Sequence, residues 1–262
     1  MGARPIEGLA GLDLVGRFVA EVDGPGALVR LYPRDGFTPD AGAARIAIRR
    51  TRHEVIAPGA VEGVGAGSFV VDTGASVEAV VTAMGLLRAH RRRGSADALL
   101  GPLRDEASSP DYWTEVPGLA LGPFRFPATP VVGRDRERER VGGGTLGLVG
   151  MGLLRHLRVA FDLRHASLWA VPGPSYRALL RAGLEVEDTP EGDVLVTRVV
   201  PNGSAAVAGL RLEDQLLAGD GRPVRGGAAG VRVALADEHV AARRLRLRRG
   251  GAVVAGVTLG LP

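Results

Sequence analysis

The chain contains an ungapped internal repeat, and this feature limits its fold more than any other. Segment 7–37 aligns with segment 146–176 when it is shifted by 139 residues, with seven identical positions. The identical pairs are Gly8 and Gly147, Leu9 and Leu148, Gly11 and Gly150, Leu14 and Leu153, Asp23 and Asp162, Ala27 and Ala166, and Pro33 and Pro172. A repeat of fixed period indicates that one structural unit occurs twice. The alternative is a chance match in a chain rich in Gly, Leu and Val.

Each copy of the repeat has the same pattern: a glycine-bounded apolar turn, a short apolar helical turn and two strands. In the second copy the strands fall at 159–162 and 167–171, joined by a tight polar turn. Because the period is 139 residues, we expect segment 7–37 to be the end of a unit whose beginning is missing from this sequence. We therefore expect residues 1–37 to be the C-terminal remnant of a first repeat, followed by a linker at 38–45.

Composition narrows the classes of function. The chain has 262 residues, 45% of them apolar, which is enough for a packed core. Its formal charge is +4, but every basic residue is Arg, a bias typical of a GC-rich bacterial genome. The densest basic runs, at 91–93 and 243–249, lack interleaved aromatic residues, so we expect solvated surfaces and no nucleic-acid partner.

Several site chemistries are excluded or disfavoured. The absence of cysteine excludes disulfides, zinc–thiolate sites and a cysteine nucleophile. The five histidines are scattered without metal-ligand spacing, so neither a metal nor another cofactor is expected. No apolar run is long enough to span a membrane. The first residues do not resemble a signal peptide.

An aspartate stands at the end of an apolar, β-rich run, Ser68–Val71, and is followed by Thr and Gly. Gly63–Gly67 precedes a strand instead of following one, so it reads as a hairpin turn and not as a dinucleotide-binding loop. A carboxylate at the end of a buried strand is poorly solvated. A glycine two residues later allows backbone N–H groups to turn toward it. Two such carboxylates placed face to face share one proton, and the pair can act as base and acid on a peptide bond. The alternative is an ordinary turn after a strand.

The string Phe-Val-Val-Asp-Thr-Gly-Ala-Ser at 69–76 resembles the active-site motif of retropepsin-like aspartic proteases. Downstream, Gly118–Gly122 and Pro130–Val132 resemble the later strands of that family, and Gly147–Gly150 with Leu153 and Leu154 resembles its closing turn and helix. The resemblance covers residues 46–172. It implies a mainly β fold, with an acid-protease β-barrel domain.

The resemblance assigns roles by position. Asp72 matches the catalytic aspartate, Thr73 and Gly74 match the residues that brace it, and Ala75 and Ser76 complete the motif.

Two features depart from the family pattern. Some relatives carry a polar residue after the closing turn; Asp13 matches it in the first copy, but Gly152 stands there in the second. The substrate-covering flap is hard to locate, and our best estimate is between Gly94 and Thr114. Tyr112 and Trp113 could contact a peptide there or pack in the core.

The chemistry needs two acids, whereas Asp-Thr-Gly occurs once. Either a homodimer forms, or a missing N-terminal protease half supplies the second acid to the polypeptide substrate site. Asp23 and Asp162 lie in strand–turn contexts without a following Thr-Gly, which favours turn roles for both.

The last third of the chain resembles bacterial PDZ domains. Val194–Leu210 matches the strand, Pro-Gly-Ser-type turn and Ala-rich helix of that signature, and Gly219–Val224 matches the following hairpin. Glu213–Leu217 matches the Gly-Asp-x-apolar-apolar stretch, with Glu213 in place of Gly. The resemblance covers 175–262 and implies a PDZ-like α+β domain.

PDZ domains bind a peptide as an added strand at a sheet edge. The matching carboxylate-binding loop contains Gly183, Leu184 and Glu185, and the groove-lining helix falls near 228–236. The alternative is that this unit only packs against the protease or caps its sheet.

Two functional hypotheses follow. One is an aspartic endopeptidase whose PDZ unit binds peptide segments or C-termini. The other is a catalytically inactive protease-like scaffold that acts through peptide binding. A serine protease is excluded because no Gly-x-Ser-x-Gly or Gly-Asn-Ser-Gly string exists. The expected source is bacterial. The compartment is the cell envelope or the exterior if an N-terminal signal is missing, and otherwise the cytoplasm.

Overall fold

The computed structural model describes residues 11–82, 85–86, 100–103, 111–134 and 145–262. The strands of this part of the chain are β1 (Val19–Asp23), β2 (Leu28–Tyr32), β3 (Ala44–Ala47), β4 (Arg49–Arg50), β5 (Val55–Val61), β6 (Gly65–Val71), β7 (Ala79–Thr82), β8 (Leu100–Leu103), β9 (Asp111–Leu121), β10 (Phe124–Arg134), β11 (Thr145–Val149), β12 (Leu157–Asp162), β13 (Ser167–Pro172), β14 (Leu184–Asp188), β15 (Val194–Val199), β16 (Gln215–Gly219), β17 (Arg222–Pro223), β18 (Ala242–Arg249) and β19 (Ala252–Gly260). The helices are α1 (Leu12–Val15), α2 (Met151–Leu154), α3 (Pro174–Ala182), α4 (Ser204–Val207) and α5 (Gly227–Ala236). The described residues divide into two compact units, one ending at Val171 and the other comprising 172–262 together with 126–129.

The first unit contains a closed barrel. Its ring of strands runs β5–β6–β11–β7–β10–β9 and closes where Gly59–Val61 of β5 pairs with Leu119–Leu121 of β9. Phe69, Leu119 and Val131 are buried in it. A closed ring removes the free sheet edges that an open sheet would expose. The prediction of a mainly β fold with a β-barrel domain is confirmed.

A second sheet in the first unit brings together residues that are far apart in sequence. Its strand order is β2–β1–β12–β13–β3. β1 pairs antiparallel with β12, and β3 pairs antiparallel with the outer edge of β13. The N-terminal hairpin therefore lies beside the hairpin of the second repeat copy.

The two repeat copies have the same local structure. Shifting α1, β1 and β2 by 139 residues places them on α2, β12 and β13. Ala27 and Ala166, which precede the second strand of each hairpin, have φ values of 49° and 47°. Asp23 accepts a hydrogen bond from the Gly26 amide, and Asp162 accepts the equivalent one from the His165 amide. Both aspartates thus hold hairpin turns. That residues 1–37 are the remnant of a protease-like unit remains a proposal.

The second unit is a sheet covered by helices. Its strand order is β14–β15–β16–β18–β19, with β17 paired to β16. The sheet and helices α3 and α5 bury an apolar core that includes Ala178, Leu184, Val196, Leu235 and Leu247. None of the helices in the described ranges is long and apolar enough to cross a membrane.

A buried ion pair anchors the start of β16. Asp214 is fully buried and accepts hydrogen bonds from Arg249 Nε and Nη2, both at 2.7 Å, and from the Arg211 amide at 2.8 Å. Burial alone raises the pKa of the Asp214 carboxyl, but the bonds from Arg249 and Arg211 outweigh it, and the pKa lies below its ordinary value. This carboxylate therefore stabilises the fold above its unfolded pKa, and the stabilisation is lost as the pH falls through its folded pKa.

Glu213, which stands where the PDZ signature has glycine, adopts a left-handed backbone with φ of 65°. Its amide donates to the Val196 carbonyl, which fixes this conformation. A residue with a Cβ is strained in this region, whereas glycine is not.

We expect Glu213→Gly to raise the free energy of unfolding by about 0.5–1 kcal/mol, because relief of the strain exceeds the entropy cost of glycine. Urea unfolding of the full chain measures the change. Glu191→Gly, at an exposed position outside the left-handed region, is the matched control and should be slightly destabilising. If both substitutions changed the free energy of unfolding equally, the left-handed backbone at Glu213 would not be a source of strain.

Candidate functional site

Asp72 directly follows the last residue of β6 and is half-buried. Its amide donates to the Val149 carbonyl of β11 at 2.9 Å, which continues the parallel pairing of β6 with β11. The Gly74 amide donates to Asp72 Oδ1 at 2.8 Å. One carboxylate oxygen is therefore held by the backbone of its own loop.

The loop after Asp72 is clasped by the turn between β11 and α2. The amides of Gly150, Met151 and Gly152 donate to the carbonyls of Glu78, Ala75 and Val77, at 3.0, 2.7 and 3.1 Å. These three hydrogen bonds are all made between backbone groups. They therefore fix the loop to the barrel whatever side chains the loop carries.

Close backbone approach explains the glycines of this turn. A Cβ at position 150 would lie 2.3 Å from the Val77 carbonyl oxygen, and one at position 152 would lie 2.6 Å from the Glu78 nitrogen. Neither neighbour is the end of a flexible side chain, so any larger residue would push the loop away.

The structure places the rest of the predicted motif at the loop surface. Thr73, Gly74 and Ser76 are exposed, and Ala75 is partly buried. The described residues offer the Thr73 hydroxyl no hydrogen-bond partner. It stands beside Asp72 at the mouth of a cavity.

A cavity of about 840 Å³ opens in front of Asp72. It is lined mainly by apolar side chains from both repeat copies and from the barrel. These are Leu12, Val15, Ala20, Val22, Val29, Leu31, Val55, Val70, Val71, Leu148, Met151 and Phe161. Asp72, Thr73, His53 and Glu54 contribute the polar side chains, and the Gly11 backbone completes the lining. Such a surface can hold apolar side chains against a carboxylate.

No sequence motif marks His53 or Glu54 as a site residue. Glu54 is the other carboxylate that lines this cavity among the described residues. It precedes β5 without any motif, and only the fold brings it to the same cavity as Asp72. The described residues contain no cluster of three or more His, Asp or Glu side chains that could hold a metal ion.

The flap prediction falls mostly outside the described residues. β8 and β9 pair antiparallel, with Leu100 opposite Trp113 and Leu103 opposite Asp111. Residues 87–99 and 104–110 are not described, and neither are the side chains of Tyr112 and Trp113. The position of the flap stays a prediction.

In the second unit, the predicted peptide loop follows α3. Gly183 has the left-handed conformation that ends this helix, and its amide donates to the Leu179 carbonyl. Leu184 is buried in the core, and Glu185 is buried with Arg198 Nε 3.0 Å from its Oε2. The three residues are thus adjacent at the beginning of β14. Their role in binding a carboxylate stays a prediction.

Helix α5 contacts the edge strand β14 at two points. Arg232 of α5 donates from Nη2 to the Val186 carbonyl at 2.6 Å. At the end of the strand, Asp188 Oδ1 accepts from the Ala228 amide at 2.7 Å and so caps the beginning of α5. Two contacts from α5, at Val186 and Asp188, therefore lie where a PDZ domain would add a peptide strand.

A separate cavity of about 640 Å³ lies on another face of α5, between that helix and strands β16–β18. Val224, Val231 and Leu245 are among its apolar lining residues. At its rim, Arg243 Nη1 lies 2.7 Å from Asp220 Oδ2, a bond that lowers the pKa of the Asp220 carboxyl. None of the lining residues comes from β14.

Comparison with known proteins gives only distant likenesses. No family model and no curated protein matches the chain. A retropepsin-like aspartic protease from Rickettsia conorii is 17% identical, with 52% of this chain and 98% of that chain covered and a TM-score of 0.35. Two structures of the HtrA-type protease AlgW with decapeptide are each 16% identical. They cover 87% and 89% of this chain and 61% and 67% of those chains, with TM-scores of 0.28 and 0.29. The chain thus spans less than two thirds of the first of these AlgW chains.

We expect Gly150→Ala to destabilise the first unit by about 2–3 kcal/mol, because the added Cβ displaces the loop that carries Asp72. Thermal unfolding of the full chain measures the loss. Gly36→Ala is the matched control, since its Cβ would meet its nearest neighbours at 3.6–3.7 Å. If Gly150→Ala were as well tolerated as Gly36→Ala, glycine at position 150 would not be needed to hold the Asp72 loop.

Proposed function

We propose that this chain carries one half of the catalytic centre of an aspartic-type endopeptidase, with Asp72 as its acid. The observation that carries the proposal is the placement of Asp72. Asp72 follows the partly buried strand β6, its carboxylate accepts a hydrogen bond from the Gly74 amide, and it lines a large, mainly apolar cavity.

The reaction requires a second carboxylate close to Asp72, with one proton shared between them. The ionised acid removes a proton from a water molecule, whose oxygen adds to the carbonyl carbon of the scissile peptide bond. The protonated acid gives its proton to the carbonyl oxygen. Collapse of this gem-diol intermediate breaks the C–N bond: the amine nitrogen receives a proton from the acid that accepted one from water, and one hydroxyl of the intermediate returns its proton to the other acid as the new C=O bond forms. The dyad returns to its starting state.

The parts of the chain contribute separately to this reaction. The backbone clasp fixes the Asp72 loop, so that little reorganisation is needed when the carboxylate accepts a proton. The apolar cavity wall accommodates apolar substrate side chains and keeps water away from the reacting bond. The exposed Thr73 hydroxyl is available to bond to the equivalent residue of a second loop.

We expect Asp72→Asn to lower kcat/KM for casein or a peptide library at least about a hundredfold, because an amide cannot exchange the proton. The assay covers acid to neutral pH and a wide range of chain concentration, so that activity requiring a second copy is detected. Glu54→Gln is the matched control. A comparable loss in this variant would assign the second acid to Glu54, and cleavage that survives Asp72→Asn would end the proposal.

A second candidate function is peptide binding without catalysis. It is favoured by the single Asp-Thr-Gly of the sequence and by the edge strand β14, which helix α5 contacts. In this case the second unit binds peptide segments or C-termini at β14, and the barrel serves as a scaffold. Specific peptide binding by a chain whose cleavage is unaffected by Asp72→Asn would support this function.

We expect Arg232→Ala to increase the affinity of the chain for peptides with an apolar C-terminus several-fold, because it frees the Val186 carbonyl for an added strand. Fluorescence anisotropy with a labelled peptide measures the change. Arg246→Ala removes the same charge from an exposed position of β18 and should leave affinity unchanged. Weaker binding by the Arg232 variant would instead make Arg232 part of the peptide site.

A further inference from the structure

The cavity between α5 and strands β16–β18 of the second unit is used by neither function proposed above. Its volume is about 640 Å³, and none of its described lining residues belongs to β14. Ligand sites in proteins commonly measure about 300–1,000 Å³. The cavity is therefore large enough for a small organic ligand.

Small residues on both walls create this space. Ala218 and Gly219 stand on the β16 side, and Gly230 and Ala234 stand on the α5 side. A Cβ at Gly219 would meet only Leu245 Cδ2 within 4 Å, at a distance of 3.9 Å. The wall is therefore set back where larger side chains would have filled the cavity.

The inner walls of the cavity are apolar. Leu216, Leu235 and Leu245 belong to the core of the unit, and Val224 and Val231 pack against that core. None of the described lining residues is aromatic, so a nucleotide base would have no ring on which to stack. The walls suit an aliphatic ligand.

An extended peptide has no suitable strand to join in this cavity. β16 is already hydrogen-bonded to β15, β17 and β18. β17 has two residues, and one of them is Pro223, which has no N–H to donate. The walls therefore favour a ligand without a peptide backbone, held along its length by apolar contacts.

The charged residues of the cavity are mainly cationic. Asp220 is the single acid among the described lining residues, beside Arg222, Arg225 and Arg243. Asp220 accepts from Arg243 Nη1 at 2.7 Å and from the Arg244 amide at 2.8 Å, so its charge is compensated. Arg222 and Arg225 are exposed, and neither forms an ion pair with a described residue. The mouth of the cavity is therefore complementary to an anion.

Arg243 joins the two walls and retains an unused donor. Besides its bond to Asp220, it donates from Nη2 to the Ala234 carbonyl of α5 at 3.1 Å. Its Nε is buried and has no hydrogen-bond partner among the described residues. A buried donor without an acceptor is destabilising, and an oxygen of a bound anion would provide the acceptor.

We propose that this cavity binds a small amphiphilic anion, namely an unbranched alkyl chain that ends in a carboxylate or phosphate group. The chain lies between α5 and β16, against Leu216, Val231 and Leu245, and the head group lies among the arginine residues of the mouth. Guanidinium groups bind the oxygens of carboxylates and phosphates through paired hydrogen bonds. The inference depends neither on the peptidase nor on peptide binding at β14.

The test titrates the 262-residue chain with cis-parinaric acid, an unbranched carboxylate whose fluorescence rises in an apolar site. We expect saturable binding of the acid, and at least about tenfold weaker binding of its methyl ester, which lacks the negative charge. Dodecanoate and dodecyl phosphate are then added as competitors, and the tighter of the two identifies the head group.

A matched pair of glycine substitutions locates the bound probe. Gly219 lies opposite Leu245 in the pairing of β16 with β18, so the side chain of Gly219→Val points to the cavity face of the sheet. We expect this variant to bind the acid at least about tenfold more weakly, because the valine fills the space of the alkyl chain. Gly260→Val makes the same change on β19, where a Cβ would have no neighbour within 4 Å, and should leave binding unchanged.

A matched pair of double variants tests the head group. Arg222→Gln with Arg225→Gln should weaken binding of the acid at least about fivefold and leave binding of the ester unchanged. Arg244→Gln with Arg246→Gln removes the same charge from exposed positions of β18 that do not line the cavity, and should leave both affinities unchanged.

Several results would overturn the proposal. Equal binding by Gly219→Val and Gly260→Val would place the probe in another part of the chain, such as the cavity beside Asp72. Equal affinities for the acid and the ester would show that the charge is not recognised, and equal losses in the two double variants would show only a general attraction between charges. Displacement of the probe by a peptide with an apolar C-terminus, but by neither dodecanoate nor dodecyl phosphate, would assign the cavity to a peptide.

Urea unfolding checks that each variant is folded. If Gly219→Val does not fold, the ester and the arginine variants still decide the outcome, because they leave the cavity walls intact. Loss of casein cleavage in Asp72→Asn with unchanged binding of the acid would show that this site and the proposed peptidase are independent.

Discussion

The first unit depends on the backbone clasp between the Asp72 loop and the turn that begins at Gly150. Three amides donate to three carbonyls across two segments that are about seventy residues apart in sequence, and the parallel pairing of β6 with β11 brings these segments together. Each such bond contributes about 1 kcal/mol net. Because the contacts use only the backbone, side chains at 75–78 can vary, whereas residues 150 and 152 are restricted to glycine.

Features that are set by local backbone requirements could be predicted from the sequence. The Asp-Thr-Gly that follows β6 and the turn aspartates at 23 and 162 each follow from what a short segment must do. The repeat showed which segments share a local structure. The predicted groove helix near 228–236 corresponds to α5, which begins one residue earlier.

Features that arise from long-range packing could not be predicted. Glu54 and Asp72 line one cavity because β5 and β6 are neighbours in a closed barrel, and no motif marks Glu54. Val29 is exposed whereas its equivalent Leu168 is buried, and this difference depends on what the fold packs against each hairpin. At Glu213 the sequence shows the unusual residue but not its conformation. The departure from glycine is visible in the sequence, but only the backbone shows that the left-handed conformation is kept.

The contact between Arg232 and the Val186 carbonyl has a further consequence for the second unit. An uncovered edge strand offers its free amides and carbonyls to any extended chain, including the same strand of another molecule, and this is a common route to aggregation. The Arg232 side chain lies across the edge and blocks such sheet extension. The block is reversible, because the guanidinium group can rotate away. Protection against edge-to-edge association and access for an extended peptide would then be governed by the rotamer of one arginine.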